Sequence, residues 1–110
     1  MVKSEAVKLD LIFHALSDST RRSILRDLSR KEKTVTQVAK PHKMSLAAIS
    51  KHLNVLEKAR LIERKKQGSF QIVTLQAEAL KSAEEWLLYY QQFWSLRLDA
   101  LQDLLEKEKK

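Results

Sequence analysis

The chain contains no cysteine, and its 110 residues include one glycine and one proline. Without cysteine there can be no disulfide, no thiolate metal ligand and no cysteine nucleophile. So few glycines and prolines disfavour a sheet-rich fold with many tight turns. No apolar run approaches the roughly 18 residues that cross a bilayer, and the opening residues MVKSEAVKLD lack the apolar core of a signal peptide. The sequence therefore predicts one soluble domain, residues 1–110, located in the cytoplasm and not in a membrane.

The net charge of +7 is distributed unevenly along the chain. Residues 1–76 carry 16 Lys and Arg against 7 Asp and Glu, whereas residues 77–110 carry 5 against 7. The basic excess is greatest over residues 40–66, which hold 8 basic and 2 acidic residues. Such a concentration is typical of a surface that binds a polyanion. A solvated lysine-rich surface is the alternative that charge alone leaves open.

Apolar spacing predicts N-terminal helices within residues 7–33. Leu9, Ile12 and Phe13 lie on one face of the first helix. Asp18 or Ser19 can cap the second helix by accepting a hydrogen bond from a first-turn N–H. The arginines of this second helix are expected to point largely outward: Arg21, Arg22, Arg26 and Arg30.

Residues 35–59 have the pattern of a helix-turn-helix. The segment VTQVAK is a short helix that Pro41 should end, HKM is the turn, and Ser45 is a good N-cap for the next helix. That second helix is expected to bury Ile49, Leu53 and Leu56. Its opposite stripe is small, polar or basic: Ala47, Ser50, Lys51, Asn54 and Lys58.

The remaining sequence predicts a hairpin and a long helix. Residues 60–75 form two β-compatible segments around Gly68, with Phe70, Ile72 and Leu75 expected inward. Residues 77–108 then carry two apolar stripes at helical spacing, more than a domain of this size can cover. The predicted fold class is mostly α, a winged helix-turn-helix with a β-hairpin wing and a long C-terminal helix for dimerisation.

Three segments together resemble the winged-helix transcriptional regulators of the ArsR/SmtB family, over about residues 7–106. They are ALSDSTRRSIL, the stretch VTQVAK to QIVTL, and the aromatic tail WLLYYQQFWSLRLDAL, and the string S-x-x-A-I-S-K-H-L-x-V-L at 45–56 is the most specific. The resemblance implies a homodimer that binds an inverted-repeat operator in double-stranded DNA, usually as a repressor released by a signal. It also implies a dimer interface from the first and last helices: Leu9, Ile12, Phe13, Leu87, Tyr90, Trp94, Leu98, Leu101 and Leu105.

Small outward residues suit a recognition helix, because bulky ones would hold its backbone away from base edges in the major groove. The expected DNA contacts come from the helix-turn-helix and the wing: Thr36, Lys43, Ser45, Leu46, Ala47, Ser50, Lys51, Asn54, Lys58, Arg64, Lys65, Lys66, Gln67 and Gly68. Leu46 stands where the family often has Gln, a direct base reader. It can contact DNA or fill the core at the helix start, and both readings stay open.

The metal sites of the family are not matched by this sequence. Val35 to Val38 stand where one site needs a Cys pair, and the last helix has Asp99 and Asp103 but no His. Zinc needs three or four N, S or O ligands within tetrahedral reach. His52 is expected to be packed and hydrogen-bonded, and we expect no metal and no other cofactor. The tail resembles a cysteine-free subgroup of the family.

Other functions remain to be weighed against DNA binding. The aromatic residues of the last helix can line a pocket for an unknown small apolar effector, although a dimer core is the commoner use of such a cluster. A winged helix can also serve protein or RNA contacts alone. An enzyme is not expected, because the chain has no Gly-rich phosphate loop and no nucleophile–base string.

Overall fold

The computed structural model describes the backbone of residues 2–108 and the side chains of residues 8–108. Within these residues the chain folds into helices and a small sheet in this order: α1 (Val2–Leu16), α2 (Ser19–Arg30), β1 (Lys33–Thr34), α3 (Val35–Ala39), α4 (Leu46–Lys58), β2 (Ile62–Gln67), β3 (Phe70–Leu75) and α5 (Leu80–Glu108). Short 3₁₀ helices at Lys40–His42 and Ala77–Ala79 precede α4 and α5. The predicted class, a mostly helical winged helix-turn-helix with a long last helix, is confirmed.

The junction of α1 and α2 is built around Arg21. Asp18 caps α2, because its Oδ2 accepts a hydrogen bond from the backbone N–H of Arg21 at 3.0 Å. The Arg21 side chain is 8% exposed, and its guanidinium donates to the carbonyls of Ala15 at 2.8 Å and His14 at 2.9 Å. The prediction that Arg21 points outward is therefore wrong. The last carbonyls of α1 have no helical partner, and a buried guanidinium supplies their missing donors.

The first helix of the helix-turn-helix, α3, has five residues and depends on its cap. Thr34 Oγ1 accepts from the N–H of Gln37 at 3.2 Å, while the Thr34 N–H donates to Gln37 Oε1 at 2.9 Å. Val38 and Ala39 pack this short turn onto the core. Pro41 does not end the helix as predicted but lies at the start of a 3₁₀ turn, where no backbone donor is needed.

The second helix of the motif, α4, begins and ends with hydrogen-bonded caps. Ser45 Oγ accepts from the N–H of Ala48 at 3.1 Å, which confirms the predicted N-cap. At the other end the N–H of Leu61 bonds to the carbonyl of Leu56 at 3.0 Å. Arg60 adopts the left-handed conformation there, with φ +60°. These features form a Schellman-type stop, which turns the chain sharply into β2.

The sheet has three antiparallel strands in the order β1-β3-β2. Strand β1 was not predicted, because two residues between charged neighbours give no alternating pattern. The expected inward face of β3 is also wrong in part. Val73, at 0% exposure, lies in the core, whereas Phe70 is 62% exposed near the hairpin turn. Pairing of Ile62 with Leu75 places Val73 on the same face as Ile62, which is 2% exposed.

The core of the chain lies between α1, α2, α4 and the base of the hairpin. Helix α5 contributes little to it, since Ala83 alone among its residues is buried. Its first turns reach α1, where the rings of Phe13 and Trp86 meet edge to face at 5.6 Å. No helix within residues 2–108 combines the length and the hydropathy needed to cross a membrane.

Candidate nucleic-acid interface

The outward face of α4 carries small, polar and basic side chains above a buried opposite face. Ile49, Leu53 and Leu56 are each 0% exposed, as predicted, so the core fixes the rotation of the helix. The predicted contact residues of α4 are exposed, apart from the half-buried Ser50: Ala47, Ser50, Lys51, Asn54 and Lys58. The first turns of this face carry only small side chains after Leu46. The backbone can therefore approach the floor of a groove closely.

Leu46 is the first residue of α4 and is 55% exposed. This exposure excludes the core reading that the sequence left open. Its neighbour Met44 is 40% exposed, so the start of the helix presents apolar surface to solvent. A leucine at this place can meet a thymine methyl group but cannot form a hydrogen bond to a base.

The N-terminus of α4 combines unpaired backbone donors with nearby positive charge. Ser45 Oγ accepts the N–H of Ala48, and its hydroxyl proton stays available to an acceptor. Lys43, two residues earlier, is exposed and has the left-handed conformation with φ +44°. Thr36 is exposed on α3. A helix N-terminus beside a lysine is a favourable environment for a phosphate group.

The register of the hairpin divides the predicted wing residues between two faces. Arg64 pairs with Val73 and Lys66 with Gln71, so both cations lie on the face that continues from the core. Lys65 and Gln67 lie on the opposite face, beside Ile72 and Phe70 respectively. Gly68 closes the turn with φ +63°, a conformation that favours glycine.

Arg64 is not a free wing cation as predicted. Its Nη2 donates to Glu57 Oε1 at 2.8 Å and to Asn54 Oδ1 at 2.6 Å. Its Nε donates to the other Glu57 oxygen at 3.3 Å. The hydrogen bond from Arg64 is the main reason that the pKa of Glu57 lies below its ordinary value. Arg64 is thus tied to α4 at the base of the wing, and its side chain is 18% exposed.

His52 lies behind the outward face and joins α4 to α2. Its Nδ1 is 3.2 Å from Arg21 Nη1 and 3.8 Å from Asp18 Oδ2. Because arginine can only donate, Nδ1 accepts in the Arg21 contact. His52 is packed and hydrogen-bonded, as predicted. Within the described side chains no three His, Asp or Glu groups lie close enough together to hold a metal ion.

Sequence reasoning missed two features beside the proposed DNA face. Phe70 is exposed close to the wing turn, and its β-strand pattern gave the opposite orientation. A shallow cleft beside α3, about 420 Å³ in volume, brings three lysines together: Lys31, Lys33 and Lys40. The charge count could have indicated the cleft, but the lysines come from segments separated in sequence. Strand β1, which was not predicted, brings them near α3.

The predicted dimer residues occupy different environments in the single chain. Ile12 is 3% exposed and belongs to the chain's own core, which removes it from the interface set. Leu9 and Phe13 are half-buried on α1. The α5 residues of the set are 40–62% exposed: Leu87, Tyr90, Trp94, Leu98, Leu101 and Leu105. Aromatic rings stack along the same helix, with Trp86 and Tyr90 centroids 4.9 Å apart.

Comparisons with known proteins agree with this arrangement. A family model described as a helix-turn-helix domain matches residues 16–65. The transcriptional repressor SdpR of Bacillus subtilis (strain 168) is 34% identical over 79 residues, which cover 72% of this chain and 88% of that protein. The crystal structure of an ArsR family transcriptional regulator is 38% identical, with a TM-score of 0.75 over 82% of this chain and 93% of that one.

A more distant structure shares the fold. It is the solution structure of a homodimeric winged helix-turn-helix DNA-binding domain from Mycobacterium bovis. That domain is 22% identical, with a TM-score of 0.61 over 84% of each chain. Because SdpR and the ArsR family structure each exceed 30% identity over most of their length, the chain belongs to the ArsR family of helix-turn-helix transcriptional regulators.

Proposed function

We propose that the protein is a homodimeric repressor that binds an inverted-repeat operator in double-stranded DNA through α3, α4 and the wing. The observation that carries this proposal is the outward face of α4, where small and basic side chains lie opposite three fully buried ones. Its relative SdpR is named a transcriptional repressor. A DNA-binding role also supports the cytoplasm as the location.

Each side chain of the α4 face has a role suited to its chemistry. Ala47 and Ser50 permit close approach, and Ser50 can bond to a base or a phosphate. Lys51 can reach a guanine or a phosphate, while Lys58 lies further along the helix and suits the backbone. Leu46 contributes apolar contact, so part of the sequence preference would come from DNA shape.

The second copy is proposed to pack along α5. Six large apolar residues of the predicted interface are exposed on this helix in the single chain, which is a larger apolar surface than monomeric proteins usually show. The distant Mycobacterium bovis domain is described as homodimeric. Two recognition helices related by a two-fold axis predict half-sites about 10 bp apart, or a multiple of that spacing.

The experiment that tests the proposal replaces Ser50 by Leu and Lys51 by Glu in one variant. The larger side chain blocks close approach and the carboxylate repels phosphate, so operator selected from random duplex DNA should no longer shift in a gel. The matched control is Ser23→Leu with Arg26→Glu, which makes the same changes on exposed positions of α2. Equal binding by the α4 variant and the parent would show that α4 is not the recognition helix.

A salt titration separates operator binding from the alternatives. A dimer that contacts 6–10 phosphates should lose about 10³–10⁵ in affinity between 50 and 200 mM salt. A module that serves protein contacts would show little affinity for duplex DNA at any salt concentration. Tighter binding to an RNA of the same sequence would favour RNA recognition instead.

A further inference from the structure

The base of the wing is joined to α4 by a cluster of three polar side chains. Asn54 and Glu57 are three residues apart on α4, so both project from the same side of the helix. Arg64 reaches both from β2, and two of its nitrogens engage the two Glu57 oxygens in a fork, at 3.3 Å and 2.8 Å. The same Nη2 holds Asn54 Oδ1 at 2.6 Å.

This cluster fixes which end of the Asn54 amide faces the wing. A guanidinium has only donors, so the amide must turn its oxygen, and not its nitrogen, toward Arg64. The NH₂ group of Asn54 then points away from the wing, along an exposed part of the helix face. An asparagine that reads adenine needs its oxygen and its nitrogen on the base together. Here the oxygen is already engaged by Arg64.

We propose that Arg64 is a positioning residue, held by Glu57, that presents Asn54 to DNA as a hydrogen-bond donor. This inference rests on the proposed function, and it names the chemistry of one contact. Asn54 recognises an acceptor, which is a phosphate oxygen or the N7 or O6 edge of guanine, in preference to the paired donor and acceptor of adenine. Arg64 acts through Asn54 and does not itself contact DNA.

The charge of the cluster supports this role for Arg64. Glu57 is ionised at neutral pH, because the hydrogen bond from Arg64 holds its pKa below the ordinary value. The carboxylate neutralises the guanidinium locally, and Arg64 is 18% exposed. Lys66 lies on the same face of the hairpin, is exposed and is closer to the turn. It is therefore the matched example of a wing cation that is free to meet a phosphate.

The DNA-binding test compares Arg64→Gln with Lys66→Gln, since both remove one positive charge from the same face. Lys66→Gln should reduce the salt slope of operator binding by about 0.9 and weaken all duplexes alike. Arg64→Gln should leave the salt slope unchanged and reduce the preference for the base pair or phosphate register that Asn54 reads, on the order of tenfold. In an Asn54→Ala background, Arg64→Gln should add no further loss.

Two results would overturn the assignment. One is a salt slope that falls equally in the two glutamine variants, which would make Arg64 a phosphate contact. The other is a full additional loss from Arg64→Gln in the Asn54→Ala background. Arg64→Lys keeps the charge but cannot form the fork, so it should behave like Arg64→Gln if positioning is the role. Wild-type behaviour of Arg64→Lys would also contradict the proposal.

A measurement on the free protein keeps the inference separate from the proposed function. The ¹⁵N order parameter of the Asn54 side-chain amide should be about 0.8 in the parent and below about 0.6 in Arg64→Gln. Equal mobility of the amide in both proteins would refute positioning by Arg64. If the parent bound no duplex at all, the proposed function would fail, and with it the DNA contact of Asn54. The amide data would still decide whether Arg64 fixes the side chain.

Discussion

At the scale of single residues, the most informative side chain is one whose type is seldom buried. Arg21 is 8% exposed and joins α1, α2 and α4 through the carbonyls of Ala15 and His14 and the ring of His52. Its neighbour Arg22 is exposed and donates to the carbonyl of Leu16 at 2.8 Å. Sequence reasoning could not separate the two arginines, because both follow Asp18 within the first turn of α2.

Replacing Arg21 by Met should lower the free energy of unfolding by about 3 kcal/mol, because buried carbonyls at the end of α1 lose their donors while the volume stays filled. Arg22→Met is the matched control, and its effect should stay within about 1 kcal/mol. Urea unfolding followed by circular dichroism measures both values. Equal effects at the two positions would show that burial of Arg21 contributes nothing to stability.

Asp18 gives a prediction about acid. The hydrogen bond from the Arg21 N–H lowers the pKa of Asp18 below its ordinary value of 3.8, and the nearby His52 and Arg21 lower this pKa further, against a smaller opposing effect of burial. A carboxyl whose folded pKa is depressed stabilises the fold above its unfolded pKa, and this contribution disappears as the pH falls through the folded value.

The variant Asp18→Asn keeps a capping oxygen but removes the charge. The parent should therefore be more stable than this variant at pH 7, and the difference should shrink as the pH falls below about 4. Urea unfolding at a series of pH values between neutral and acid measures the difference. A gap that stays constant through the acid range would mean that the ionised form of Asp18 has no special partner in the folded state.

At the scale of elements, long periodic segments were predictable and short ones were not. The buried face of α4, with Ile49, Leu53 and Leu56, followed from helical spacing, as did the existence of α5. Strand β1 has two residues, and the inward face of β3 depends on its register with β2. Neither can be read from local pattern, because pairing partners far apart in sequence decide them.

Helix α3 is too short to be stable by itself and should depend on its cap. Thr34→Ala removes the oxygen that accepts the Gln37 N–H and should destabilise the protein by about 1 kcal/mol. Thr36→Ala changes an exposed threonine of the same helix and should stay within about 0.5 kcal/mol. Thermal unfolding of the two variants compares them. Similar melting temperatures would show that packing of Val38 and Ala39 alone holds the helix.

The candidate site was predictable as a surface but not in its internal contacts. The stripe of small and basic residues on α4 could be read from spacing, and Leu46 was left open until its exposure was seen. The contacts of Arg64 with Glu57 and Asn54 join a strand to a helix across seven and ten residues. Nothing in the sequence distinguishes Arg64 from Lys65 and Lys66, since all three read as basic wing residues.

At the scale of the whole molecule, the dominant feature is a helix that the single chain does not cover. The molecule measures 65 × 39 × 20 Å, and the 29 residues of α5 extend roughly 43 Å at about 1.5 Å per residue. Large apolar side chains stay exposed along almost its whole length, from Trp86 to Leu105. Water contact of this area is unfavourable by about 25 cal/mol for each Å² of apolar surface, which favours association of two copies.

Trp94 tests this association most directly, because it is large, 46% exposed in the single chain and central in the predicted α5 stripe. Trp94→Ala should weaken dimerisation by about 2 kcal/mol or more, which is roughly 30-fold in the dissociation constant. Sedimentation equilibrium measures that constant. The melting temperature of the parent should also rise with protein concentration, since a dimer is stabilised by mass action.

The matched control for Trp94 is Gln92→Ala. Gln92 is exposed on the opposite side of the helix, near Asp99 and Asp103 in the helical repeat, so its loss should leave the dissociation constant unchanged. Weaker operator binding by Trp94→Ala than by Gln92→Ala would follow, because each half-site alone holds one recognition helix. If both variants sedimented like the parent, the stripe through Trp94 would not be the dimer interface. The inverted-repeat geometry would then need another pair of surfaces to hold two copies together.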